Sequence, residues 1–232
     1  MTVSYVGASS AESTSVTLPS HQAGDLIVMW VMRFGSTAGP TIPAGWNYRF
    51  LTQRAGTGVS FSIAIAYKIA ASSAETSGTW TNATHLLAGV YRDDADYIVL
   101  GTPTYRRAET TTPSYNGKLA ATTVSNAEGI LSAMAVSSGW VLGLIGVNLN
   151  TAGIDTPPTG MTHRHMLTGA TQGRLALADT DAAVSSFTTA TVTLAAATNY
   201  ISNVVEIVDT GTPKTSAGGL FVAGGLTGGM RG

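Results

Sequence analysis

The stretch Val59–Ile69 sets the strongest limit on what this chain can become. Its odd positions are Val59, Phe61, Ile63, Ile65, Tyr67 and Ile69, and its even positions are Ser60, Ser62, Ala64, Ala66 and Lys68. Side chains alternate sides along a strand but not along a helix. This is therefore a β-strand with one large apolar face and one small, polar face. Asp25–Phe34 adds a second kind of strand: Leu26-Ile27-Val28-Met29-Trp30-Val31-Met32 is apolar at every position, as a strand covered on both faces is. Strand patterns continue at Asn47–Gln53, His85–Arg92, Gly129–Val136, Trp140–Val147, Arg174–Asp179, Thr189–Leu194 and Tyr200–Val208. Clusters of Gly, Pro, Ser and Asn separate them, and no segment carries a convincing helical pattern. The expected fold is all-β, a jelly-roll-like β-sandwich with Phe61, Ile63, Ile65 and Tyr67 on an inner face.

An internal echo bears on domain organisation. Thr41-Ile42-Pro43-Ala44-Gly45-Trp46-Asn47-Tyr48-Arg49 aligns with Thr156-Pro157-Pro158-Thr159-Gly160-Met161-Thr162-His163-Arg164. The same offset of 115 places Gly24 on Gly139 and Gly58 on Gly173. Two readings are open: a repeated unit, with half-repeats at 14–99 and 118–208, or two similar Pro-Gly turns in a β protein. Leu100–Gly117 lies between them as a long crossover anchored by Tyr105 and Tyr115. The sandwich body is expected over 1–210. Residues 211–232 form a Gly-rich arm that carries Leu220, Phe221, Val222, Leu226 and Met230. Its glycines deny the arm an independent fold, while its apolar side chains suit docking on a neighbouring protein.

Composition removes several function classes. Lys and Arg number 12 and Asp and Glu 13 in 232 residues, a net charge of −1. Charged residues are 11% of the chain, against roughly a quarter in ordinary soluble domains. Cations this sparse give no footprint for nucleic acid or an anionic membrane. There is no Cys, so disulfides and thiolate chemistry are excluded. No apolar run is long enough to insert in a membrane. Met1–Val6 lacks the basic and apolar regions of a signal peptide, which points to synthesis in a cytoplasm without a visible export signal.

Chemistry-bearing residues are few. His163-Arg164-His165 would place both imidazoles on one strand face, close enough to share a metal. No further ligand has a supporting spacing and Arg164 opposes a cation, so the segment reads as a surface strand. Asp93-Asp94-Ala95-Asp96 and Asp179-Thr180-Asp181 read as solvated acidic turns, because neither has the Gly and distant Glu of a calcium loop. No Gly-x-Ser-x-Gly elbow and no convincing carboxylate pair is present. The expectation is no catalytic residues, no metal and no cofactor. Trp30 and Trp140 lie in apolar runs and read as core. Trp46 and Trp80 flank turns and are the candidates for stacking on a sugar ring. Asn82-Ala83-Thr84 is a glycosylation sequon that stays silent without secretion.

Several short motifs occur in a recognisable order: Gly24-Asp25-Leu26-Ile27-Val28, Pro43-Ala44-Gly45-Trp46, Ala66-Tyr67-Lys68-Ile69-Ala70 and Ala88-Gly89-Val90-Tyr91-Arg92. Pro157-Pro158-Thr159-Gly160-Met161 and Ala176-Leu177-Ala178-Asp179 follow in the second half. Over about Thr14 to Val208 the chain resembles minor tail or tail-tip virion proteins of tailed bacteriophages infecting actinobacteria, related to β-sandwich domains of phage fibres and head decorations. That resemblance implies a non-enzymatic structural role in the virion, after assembly in the host cytoplasm. The implied partners are other virion proteins, copies of the chain itself and host-surface glycan. A capsid decoration protein or head fibre is the alternative, and a carbohydrate-binding host-adhesion module a further one.

Overall fold

The computed structural model describes residues 2–54, 60–107, 128–131, 134–148, 157–167, 171–188, 190–193 and 200–214. Every regular element among them is a strand. The first five, β1 (Val3–Ala11), β2 (Leu26–Phe34), β3 (Asn47–Arg54), β4 (Phe61–Ile69) and β5 (His85–Asp93), form one antiparallel sheet in the order β1-β5-β2-β4-β3. The rest are β6 (Asp96–Leu100), β7 (Thr104–Arg107), β8 (Glu128–Leu131), β9 (Met134–Val147), β10 (Thr162–Met166), β11 (Arg174–Asp179), β12 (Val184–Phe187), β13 (Ala190–Thr193) and β14 (Tyr200–Pro213). The second sheet has the order β10-β11-β9-β14-β6; β7 also pairs with β14 and β12 with β9, while β8 and β13 form a two-stranded sheet. The protein is an all-β sandwich. Each large sheet comes from one contiguous half of the chain, so successive strands do not alternate between sheets as they would in a jelly roll.

The alternation of β4 places Phe61, Ile63, Ile65 and Tyr67 in the core between the sheets, where they meet Leu142, Leu144, Leu175 and Leu177. Phe61, Ile63 and Ile65 are each 0% exposed, and burying such a side chain contributes about 1.5–3 kcal/mol. On β2 the even positions Leu26, Val28, Trp30 and Met32 enter this core. Met29 and Val31 face the other way, into a second core with Val16, Trp80 and Leu86. That second core lies under the connections 12–25 and 70–84, and so β2 is apolar throughout. The same layer explains the small residues of β4. Ser62, Ala64 and Ala66 are buried too, and the Ser62 hydroxyl donates to the Ala38 carbonyl at 2.8 Å. Small side chains there let the covering loops approach.

Several elements differ from expectation. Gly129–Val136 is not one strand: β8 ends at Leu131 and β9 starts at Met134, six residues before Trp140. β1, β12 and, within or just before the expected crossover, β6 and β7 are additional strands. The expected body boundary at 210 falls inside β14, and the chain stays tied to the body as far as Lys214, whose Nζ donates to the Asp93 carbonyl at 2.5 Å. The arm residues Leu220, Phe221, Val222, Leu226 and Met230 lie outside the described residues, as does Tyr115.

Candidate functional site

Two polar regions stand out, one between the sheets and one on the outside of the first sheet. The inner one starts from a bulge. Register shifts by one residue between His163 and His165, which leaves Arg164 unpaired on the edge strand β10. A bulge re-aims the side chain it carries. The Arg164 Nε donates to Asp179 Oδ2 at 2.8 Å, and its terminal nitrogen pairs with Asp181. Its guanidinium lies 4.6 Å from the Tyr5 ring centroid and 5.8 Å from that of Trp140. Tyr91 donates its hydroxyl to Asp179 Oδ2 at 3.0 Å. Burial opposes the charge on Arg164, but the Asp179 and Asp181 carboxylates more than offset it and hold the guanidinium protonated. Burial first, and then Asp179, push the Tyr91 phenol well above its ordinary value, so it remains a donor. The cluster ties β1 and β5 of one sheet to β10 and β11 of the other.

Two further ties cross between the halves. His85 is 0% exposed, with its ring between the Thr84 hydroxyl and the Gln172 carbonyl and 3.8 Å from Glu12. Burial pushes its imidazole below the ordinary value, against the opposing pull of the Gln172 carbonyl and Glu12. The Ser10 hydroxyl and His165 Nε2 are 2.9 Å apart. A serine and a histidine at hydrogen-bonding distance are two parts of a nucleophilic triad. Among the described residues, however, no carboxylate is seen hydrogen-bonding the other nitrogen of this ring to orient it.

The outer region is a groove of ≈ 570 Å³ between the connections 12–25 and 70–84, lined by Ser15, Thr17, Ser20, His21, Glu75 and Thr76 among others. Its walls are fixed by main-chain N–H donors: Val16 N donates to the Ser77 hydroxyl at 3.1 Å and Trp80 N to the Thr14 carbonyl at 2.7 Å. Glu75 accepts from Lys68 Nζ at 2.5 Å and from the Ala71 N–H at 3.0 Å. The Lys68 bond above all holds its carboxyl below the usual range. His21 Nδ1 donates to the Pro19 carbonyl at 2.6 Å, and its Nε2 is buried without a hydrogen-bond partner among the described residues. The lining is rich in hydroxyls, and its carboxylate is already engaged. That arrangement suits a neutral, hydroxyl-bearing ligand better than proton transfer.

The expected site residues are placed as follows. The bulge pairs His163 with Ala178 and His165 with Leu177, which are neighbours on opposite faces of β11, so the two imidazoles do not share a face. Asp93 is not in a solvated turn. It is 0% exposed and accepts from the N–H groups of Thr2, Ala95 and Asp96. Burial raises its pKa, but those bonds outweigh burial and the result lies below the ordinary value. Asp179 is likewise buried at 0%, in the cluster above. Trp30 and Trp140 are core residues, at 0% and 8% exposure. Trp80 is also 0% exposed, so neither ring face is open to a sugar. Trp46 is half-buried, with the Trp80 ring 5.5 Å away and Lys68 Nζ 4.8 Å from its centroid. The groove itself carried no sequence signal beyond Ser and Thr in two connections. No family model matches the chain, and no curated protein or solved structure does.

Proposed function

We propose that this chain is a non-enzymatic structural protein of a tailed-bacteriophage particle, a minor tail protein at the tail tip or in a tail appendage. In this reading it assembles in the host cytoplasm and works by packing against other virion proteins and copies of itself. The observation that carries it is how the buried ionisable groups are used. Asp25 grips Arg92 through two bonds of 2.8 and 2.7 Å, Asp179 grips Arg164, and Asp93 holds three backbone N–H groups. Each serves to brace the sandwich, as a scaffold requires. A body with few surface charges suits close packing against neighbours. The segment after Lys214 supplies apolar side chains for docking. A head decoration or head fibre would use the same properties.

Immunogold labelling of the particles released by cells that make this chain tests the reading. Gold at the tail tip supports it, and gold on the head replaces it with the decoration reading. Particles free of the chain refute a virion role. A chain ending at Lys214 should remain folded and fail to join the particle; normal incorporation would refute docking through the C-terminal segment.

The groove favours a second reading, host attachment through glycan. Saturation-transfer NMR with neutral oligosaccharides should show contacts that vanish in Ser20→Trp, which fills the groove. Contacts that persist in this variant would rule the groove out.

A further inference from the structure

The two sheets share more than a strand order. Numbering shifts of 114, 115, 112 and 116 carry β2, β3, β4 and β5 onto β9, β10, β11 and β14, and their pairings recur. Met32↔His85 becomes Gly146↔Ile201, Val28↔Tyr67 becomes Leu142↔Asp179, and Asn47↔Tyr67 becomes Thr162↔Asp179. A shift of 95 carries β1 onto β6 and β7: Tyr5↔Tyr91 becomes Leu100↔Ile207, and Ser9↔Ala88 becomes Thr104↔Val204. Irregularities recur as well. The bulge at Arg49 in β3 corresponds to that at Arg164 in β10, and the glycines of the preceding turns, Gly45 and Gly160, have φ of 85° and 80°. The extra residue after Tyr5 in β1 matches one between Leu100 and Thr104. Core residues map to core residues: Val3 to Ile98, Trp30 to Leu144, Ile63 to Leu175 and Ile65 to Leu177. A slip of one residue in any pair would turn a face outward. None is found.

The packing of the sheets follows the same correspondence at the level of strand pairs. β1 and β5 lie on β10 and β11 at one side. Their counterparts β6 and β14 lie on β4 and β3, the counterparts of β11 and β10, at the other, with the individual contacts there transposed, β3 on β14 and β4 on β6. In an isologous pair a residue on the two-fold axis meets its own counterpart. Here Met32 meets Gly146. A Cβ added to Gly146 would lie 3.0 Å from Met32 Cε, 2.4 Å from Ile63 Cδ1 and 3.2 Å from Leu175 Cδ2, and Ile63 and Leu175 are themselves counterparts. The ends of both halves meet at one point. Thr2 N donates to Asp93 Oδ2 at 2.6 Å, Ala95 N to Asp93 Oδ1 at 2.9 Å, and Lys214 N to the Ala95 carbonyl at 2.8 Å.

We propose that the body is a fused dimer: two copies of one five-stranded unit, 2–94 and 95–214, whose inner sheet faces are a self-complementary interface. The partner that each face fits is a second copy of the unit. This does not depend on the virion reading. The second unit differs by an insertion ahead of β9 that holds β8, which is why the shift rises there from 95 to 114, and by β12 and β13 between β11 and β14, where the first unit's connection 70–84 has no strand.

Two experiments on the full chain test it. The first reorders the chain as 95–232 followed directly by 1–94, so that the C-terminal segment joins the units and the β5–β6 turn is opened. It should give soluble protein with thermal and urea midpoints close to those of the parent. The second exchanges the residues on the axis. Met32→Gly opens a cavity and Gly146→Met overfills one, so each lowers the melting temperature. The double variant should regain more than about half of the larger loss, because the axis makes the positions interchangeable. If neither single variant folds, a folded double variant is the supporting result. A permuted chain that does not fold, or losses that add in the double variant, overturns the proposal.

Discussion

Replacing Arg164 by Met should expose how much the inter-sheet cluster contributes. The substitution keeps an apolar stem against Tyr5 and Trp140 but leaves Asp179 at 0% exposure without its cation. Removing one partner of a buried ion pair costs about 3–5 kcal/mol, because an uncompensated charge stays in the interior. The Arg164 side chain is only 14% exposed, so solvent screens the pair little. Tyr91 and the Asp181 N–H still donate to the carboxylate, at 3.0 and 2.9 Å, which favours the lower end of that range. A loss of about 3 kcal/mol corresponds to roughly 6–12 °C in Tm for a chain of this length. Adding Asp179→Asn removes the charge and keeps an acceptor for Tyr91, so the double variant should return to within about 1 kcal/mol of the parent. Urea unfolding at neutral pH, followed by near-ultraviolet circular dichroism, measures both. An Arg164→Met variant as stable as the parent refutes the reasoning, and so does a double variant no better than the single one.

Other consequences can be measured in the same way. His85 is kept neutral by burial below its ordinary value, so as pH falls below about 6.5 the unfolded chain takes up a proton that the folded chain refuses. Stability should therefore fall over that window until the folded imidazole also titrates; a His85→Gln variant showing the same decline would assign it elsewhere. Gly139→Ala would set a Cβ 2.4 Å from the Ile207 carbonyl oxygen and 2.8 Å from Glu206 Oε1. Backbone cannot yield as a side-chain tip does, so the urea midpoint should drop by the equivalent of about 1–3 kcal/mol, and an unchanged midpoint would contradict the packing described. Ile63→Asp places an unpaired carboxylate between the sheets and should abolish soluble expression; a soluble variant with the parent's circular dichroism would mean that β4 is in another register.

What could be read in the sequence depended on whether a face carried a pattern. β2, β4, β5 and β11 are central or well covered, and their apolar faces make them legible as strands almost to the residue. β1 is an edge strand, mostly half-buried along Val3–Ala11, and its run of Ser, Gly and Ala has no alternation to find. β12 is short and β7 lies in a Thr-rich stretch, so turn-like composition concealed both. The side chains of the inter-sheet cluster were hidden for another reason. Arg164 reaches Asp179 only because a bulge turns it inward, and the same bulge separates two histidines that simple alternation would have put together. A bulge flips the phase of the alternation, and Thr162–His165 has no large apolar side chains in which the flip could be read.

The duplication shows the same limit from a different side. A single offset can reveal a repeat only if every connection between repeated strands keeps its length. Here the connections differ, and the shifts run from 95 for β1 to 112 for β4 and 116 for β5. At an offset of 115 the turn before β3 aligns with the turn before β10. The core residues of β2, however, align with the outward residues of β9, because 115 is odd and the true shift for that strand is even. Inner positions also need only be apolar and complementary in size, so Trp30 can stand opposite Leu144 in the alignment and Met32 opposite Gly146. The turn keeps its letters because a glycine with positive φ has few substitutes, and there the sequence echo survives.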